Sequence, residues 1–158
     1  MNNKKVSLLI LAALAILLMT ASTASAQATR IDYYAIGGDT CDPVFDPPRL
    51  SGPNAHFHVT YACHMVGYDM EGNQLSLATG TVYWTDAYLH LVDGQSIGTA
   101  KTRFVLDADG GVFEGSFTWP NDTLMGIQHG EGMYKGIHRF ATYDAAAGRE
   151  TGYFLITK

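Results

Sequence analysis

Basic residues are scarce in this chain and nowhere clustered: ten lysines and arginines stand against fifteen aspartates and glutamates. Nucleic acids and anionic membrane surfaces select patches of Lys and Arg, so no nucleic-acid partner is expected. No apolar run after residue 19 is long enough to span a bilayer. Beyond residue 27 no stretch sustains a 3.6-residue apolar period, which argues against helices. A G-x-S-x-G nucleophile elbow is missing, and Ser51, Ser76, Ser96 and Ser116 lie in no catalytic motif. Gly130-Glu131-Gly132 is a lone G-x-G that opens no helix, so a phosphate-binding loop is not expected either. No cofactor is expected. The two cysteines, Cys41 and Cys63, have no second close pair beside them, which argues against a cysteine metal site.

What is present begins with a targeting pattern. Lys4 and Lys5 precede an apolar run from Val6 to Met19, and Ala24-Ser25-Ala26 follows. A positive start, an apolar centre and small residues at a cleavage point form a secretory signal peptide. Residues 1–26 are read as that peptide, with Gln27 as the mature start; a cut after Ala28 fits the same spacing. The apolar run has 14 residues, and a spanning helix needs about 20, so cleavage rather than anchoring is expected, with no membrane contact afterwards. The protein is then secreted or periplasmic. Residues 27–158 suit a single domain. Without Lys4 and Lys5, eight basic residues face fifteen acidic ones, a net charge near −7. In an oxidising compartment Cys41 and Cys63 would form one disulfide; two buried free thiols are the alternative.

The mature chain reads as all-β. Strands are expected at 31–36, 56–68, 79–84, 87–92, 99–106, 112–119, 122–128, 138–144 and 151–157, each rich in β-branched and aromatic residues. Turns are expected at 69–73, Asp93-Gly94, 107–111, 120–122 and 145–148, where Gly, Asp, Asn, Pro or Ala gather. The four prolines of 42–53 argue against regular structure there. Strands at intervals of about ten residues suit a sandwich or barrel, and a single antiparallel barrel of about eight strands removes exposed edges. Gly126, Gly130, Gly132 and Gly136 share one parity, so a continuous strand would carry them on one face.

The segment Gly130-Glu131-Gly132-Met133-Tyr134-Lys135-Gly136-Ile137, with the hairpin ending at Ile156, resembles the C-terminal part of the allene oxide cyclase and dirigent-type β-barrels. Those families and their exported bacterial relatives carry a G-x-G-x-[FY]-x-G-[IAV] stretch before their last strands. Gly130, Gly132, Tyr134, Gly136 and Ile137 match it, over about 45 residues of the chain. The resemblance implies an eight-stranded barrel with an apolar cavity, acting without a cofactor on a reactive hydrophobic intermediate. No polar family motif matches residue for residue, so it places no catalytic residue here.

Four residues are the expected cavity lining: Tyr61, Trp84, Trp119 and His138, with Phe117 and Phe140 beside them. Trp and Tyr offer a ligand apolar area and a hydrogen-bonding tip; the competing reading is that they fill the core of a small barrel. His56 and His58, two apart on a strand, share a face. They could begin a Zn or Cu site only with a further ligand such as His90; a solvated face is the expected reading, with no metal. Glu114 is expected to point outward, which leaves Glu114 and Glu131 a poor acid–base pair. The function expected is an exported barrel that binds a small apolar ligand. The alternatives are a cofactor-free cyclase or dirigent-type enzyme and a homo-oligomer working through its surface. The last is prompted by Tyr153, Phe154, Leu155 and Ile156, apolar on both faces of the final strand.

Overall fold

The computed structural model describes residues 28–37, 41–92, 95–120, 123–144, 147 and 149–157. The expected signal peptide lies outside the described residues, as do the expected turn at residues 93 and 94 and most of those at 120–122 and 145–148. The described chain is all-β. Its strands are β1 (Thr29–Gly37), β2 (Val44–Phe45), β3 (Arg49–Ser51), β4 (Asn54–Tyr68), β5 (Gly80–Val92), β6 (Gln95–Leu106), β7 (Val112–Pro120), β8 (Thr123–Gly130), β9 (Ile137–Asp144) and β10 (Arg149–Ile156). From β4 to β10 each strand pairs antiparallel with the next. β1 then pairs with β10 on one side and with β4 on the other, which closes a ring of eight strands. Closure satisfies the backbone groups that an open sheet would leave at its edges.

Side chains alternate between the interior of the ring and its outer face. Val59, Tyr61, Cys63 and Met65 of β4 are buried, whereas Thr60, Ala62 and His64 between them are exposed. β6 repeats the pattern with Ala100, Thr102, Phe104 and Leu106 inside and Lys101 and Arg103 outside. The expected turns form where polar side chains can cap them. Asp69 Oδ1 accepts from the amides of Glu71 (2.9 Å) and Asn73 (2.8 Å), and Gly72 takes φ +91°. At the next turn Asp109 Oδ1 accepts from Gly111 N at 2.9 Å.

Three expectations need correction. First, the Pro-rich stretch is not wholly irregular: β2 and β3 are short pieces laid along β4, with prolines 47 and 48 between them where no ladder donor is needed. Second, 79–84 and 87–92 belong to one strand. A register shift, with Asp86 at φ +49°, bends β5 without ending it. Third, the even-numbered glycines are not one stripe. β8 ends at Gly130, while Gly132 and Gly136 take φ +56° and +90° in the following turn. The positive φ, rather than a shared face, accounts for glycine at those two positions.

Candidate functional site: an aromatic cavity beside a buried ion pair

One end of the ring interior is closed by side chains. Phe104, Phe113, Phe154 and Tyr33 meet there in contact with Leu106, Ala35 and Met65, all buried. Tyr33 and Phe154 lie 5.0 Å apart between ring centroids, and Phe113 and Phe154 5.8 Å. The other end presents small residues. Ala87, Ala100 and Gly98 stand on inward positions of β5 and β6, and Trp119 lies against them. A methyl group added at Gly98 would come 2.0 Å from Cε2 of the Trp119 indole. Glycine at 98 therefore lets the indole lie flat on the wall.

The Trp119 indole seated on these small residues borders a cavity of about 290 Å³, at the small end of the range for ligand sites. Its walls include Tyr61, Trp84, Trp119, Phe117, Leu89 and Leu124. Tyr61 and Trp84 face one another from paired positions of β4 and β5, with centroids 4.3 Å apart, and Trp84 stacks with Trp119 at 5.4 Å. Cys41, Asp42, Pro43 and Phe45 also border it. That strap is held to β4 by the Cys41–Cys63 disulfide and by the β2 pairing. The disulfide fixes one edge of the cavity, and closing its loop of 22 residues contributes about 3 kcal/mol in the chain-entropy account.

Polar groups converge where the cavity meets the filled half. Glu150 borders the cavity together with Tyr143, its partner across the β9–β10 ladder. One carboxylate oxygen of Glu150, Oε1, accepts from the Tyr33 hydroxyl at 2.8 Å and from Nη2 of Arg139. Arg139 Nη1 donates to Oε1 of Gln128, whose Nε2 donates to Thr102 Oγ1 at 2.9 Å. Arg139 and Gln128 are fully buried, and Glu150 is 3% exposed. The Phe104 ring face lies 4.3 Å from the guanidinium carbon, a favourable position for a cation. Burial works against the Arg139 charge, but Glu150 and Tyr33 outweigh it and hold its pKa above the ordinary value. A buried charge is tolerated when paired and hydrogen-bonded; Arg139 is paired with Glu150 and donates through Nη1 and Nη2, while its buried Nε has no hydrogen-bond partner. Burial raises the Tyr61 and Tyr143 hydroxyls above the ordinary tyrosine pKa. Tyr33 is raised well above it, first by burial and against the opposing effect of Arg139. All three phenols are therefore neutral, donor-capable groups at physiological pH.

Of the four expected lining residues, the structure brings Tyr61, Trp84 and Trp119 to one cavity. His138 is elsewhere. On β9 the inward positions are 137, 139, 141 and 143, so His138 and Phe140 stand on the outer face. Phe140 is expected inward together with His138. The ring instead buries Arg139, because Glu150, Gln128 and Tyr33 are placed to bind it. Arg139, Glu150 and Gln128 were not legible as site residues: each has a polar neighbour in its own strand (His138, Arg149 and His129) that stands on the other face, and only the pairing of β8, β9 and β10 joins the three. Among the described residues no group of three or more His, Cys, Asp or Glu converges as a metal site. The chain matches no family model and no curated protein.

Proposed function

We propose that the protein is exported after removal of residues 1–26 and binds a small apolar molecule inside the ring. One observation carries this reading: an interior cavity of about 290 Å³ walled by Tyr61, Trp84 and Trp119 and ending on Glu150. Apolar contact would supply affinity, at roughly 25 cal/mol per Å² removed from water. Glu150 and the Tyr143 hydroxyl would fix orientation. The disulfide supports an oxidising compartment. Calorimetric titration with naphthalene, an aromatic probe of suitable size, tests the reading. Saturable binding to the native protein and its loss in Leu124→Trp, which fills the cavity, is the expected result. No saturable heat, or equal binding by the variant, would overturn it.

A second reading, a cofactor-free enzyme of the cyclase or dirigent type, is favoured by Glu150. A carboxylate held by Arg139 at the end of an aromatic cavity can stabilise charge that develops on a bound intermediate. Self-association through the outer wall, the third reading, is favoured by a separate feature. Met125 and Ile127 are exposed beside the stacked Phe140 and Tyr153 rings, along a hollow of about 830 Å³.

A further inference from the structure

All six histidines stand on the outer face of the wall, and each has a polar partner. His58 and His64 contact Asp46 (3.0 Å) and Asp107 (2.7 Å). The remaining four form two cross-strand pairs. His56 and His90 face each other on β4 and β5 with Nδ1 atoms 2.5 Å apart, and His129 and His138 do so on β8 and β9 at 2.7 Å. In both pairs the same ring nitrogen points at its counterpart. When both rings are neutral, one Nδ1 carries the hydrogen and the other offers its lone pair.

Two imidazole nitrogens converging from adjacent strands are a chelating pair for borderline divalent metals. Zn–N bonds of about 2.0–2.1 Å at a tetrahedral angle place the nitrogens roughly 3.3 Å apart. Each ring of the His129–His138 pair would then retreat by about 0.3 Å, a small rotation for a surface side chain. The hydrogen on the donor ring moves to its own Nε2, which leaves both Nδ1 lone pairs on the metal. No proton is gained or lost by the neutral pair.

The two pairs differ in the charge beside them. His129 is paired across the ladder with Glu114 of β7, so that a carboxylate and two imidazoles follow one another over three strands. His56 is paired on its outer side with Arg49 of β3. A divalent cation is attracted by the first row and repelled by the second. Arg103, 3.5 Å from Glu114, moderates the attraction, and Asp46 moderates the repulsion near His58.

We infer that His129 and His138 form a binding site for a divalent transition metal, Cu²⁺, Ni²⁺ or Zn²⁺, held by two Nδ1 atoms, with Glu114 as the neighbouring charge. Water completes the coordination. Cu²⁺ binds most tightly, following the usual order for nitrogen sites, and Ca²⁺ and Mg²⁺, which take oxygen ligands, do not bind. The inference is independent of the interior cavity.

Calorimetry with Zn²⁺ and Cu²⁺ on protein carrying no added histidines, with Mg²⁺ as control, is the test. The expected result is saturable uptake that is lost in His138→Gln, kept in His90→Gln and weakened several-fold in Glu114→Gln. Nitrogen-15 spectra of the imidazoles give an independent readout: Zn²⁺ should turn both His129 and His138 into the Nε2–H form. These side chains are on the outer face, so the variants should keep the circular dichroism of the native fold. The site is overturned by the absence of saturable uptake, by uptake unchanged in His138→Gln, by uptake lost in His90→Gln instead, or by tautomers that Zn²⁺ leaves unaltered.

Discussion

The two ends of the ring interior are built on the same strands and packed in opposite ways. At one end Phe104, Phe113 and Phe154 meet Tyr33 with no exposed surface beyond 1%. At the other, Ala87, Ala100 and Gly98 occupy the equivalent inward positions, and Trp84 and Trp119 line a space instead of filling it. The difference teaches that small residues on the wall let a bulky ring lie against it, so that Trp119 borders a space instead of crossing it. Between the halves lies the Arg139–Glu150 pair, which belongs to both: its hydrogen bonds are buried in the filled half, while Glu150 borders the open one.

The comparison can be broken most severely at that pair. Glu150→Ala leaves Arg139 buried without its counter-charge and should cost about 3–5 kcal/mol in denaturant unfolding. Arg139→Met combined with Glu150→Leu should recover much of that loss, because an apolar replacement removes the desolvation cost together with the pair. If the double variant is no more stable than the single one, packing rather than charge sets the stability of this layer. Removal of the disulfide by Cys41→Ser with Cys63→Ser should cost about 3 kcal/mol and, by freeing the strap, weaken naphthalene binding as well. Equal naphthalene affinity would show that the strap only borders the open end.

Added bulk sharpens the contrast directly. Ala35→Leu, in the filled half, should destabilise by about 1–3 kcal/mol through overpacking. Leu124→Trp, beside the cavity, should cost less than that and abolish naphthalene binding. A smaller effect is expected from alkali. Tyr33, Tyr61 and Tyr143 hold their protons more tightly in the folded state. The unfolded chain releases those protons above the ordinary tyrosine pKa of about 10, so the stability they contribute is complete below that pH and is lost as pH rises past it. Stability measured across this range should fall, and Tyr33→Phe should reduce the slope. Smallest of all is the outer wall: Arg103→Ala, which breaks a half-exposed pair with Glu114, should change stability by no more than about 0.5 kcal/mol.

Strand periods were readable because burial on one side of a sheet forces alternation. On that basis the all-β class, most strand positions, the turns at 69–73 and 107–111 and the inward set Tyr61, Trp84 and Trp119 were legible. The pairing of Cys41 with Cys63 followed from their number and the expected compartment. The inward face of β9 was not legible. Ile137, Ala141 and Tyr143 share their parity with Arg139, and a buried arginine is acceptable there only beside Glu150 and Gln128, which lie on other strands. Nor was the joining of the two parts of β5, since Thr85 and Asp86 look like a turn and in fact form a bulge within one strand.

By itself, then, the sequence determined what alternation and composition can encode: a β chain with polar turns, acidic overall, with Phe113, Phe117 and Trp119 on one side of β7. Tertiary structure decided everything that depends on which strand lies beside which. Closing β1 onto both β10 and β4 turned a succession of strands into an interior. Antiparallel register brought Arg139 to Glu150 and Gln128 inside, and His129 to His138 outside. The reason is physical: alternation is a property of one strand and is written along the chain, whereas a charge pair or a cavity is a property of several strands and exists only once their register is set.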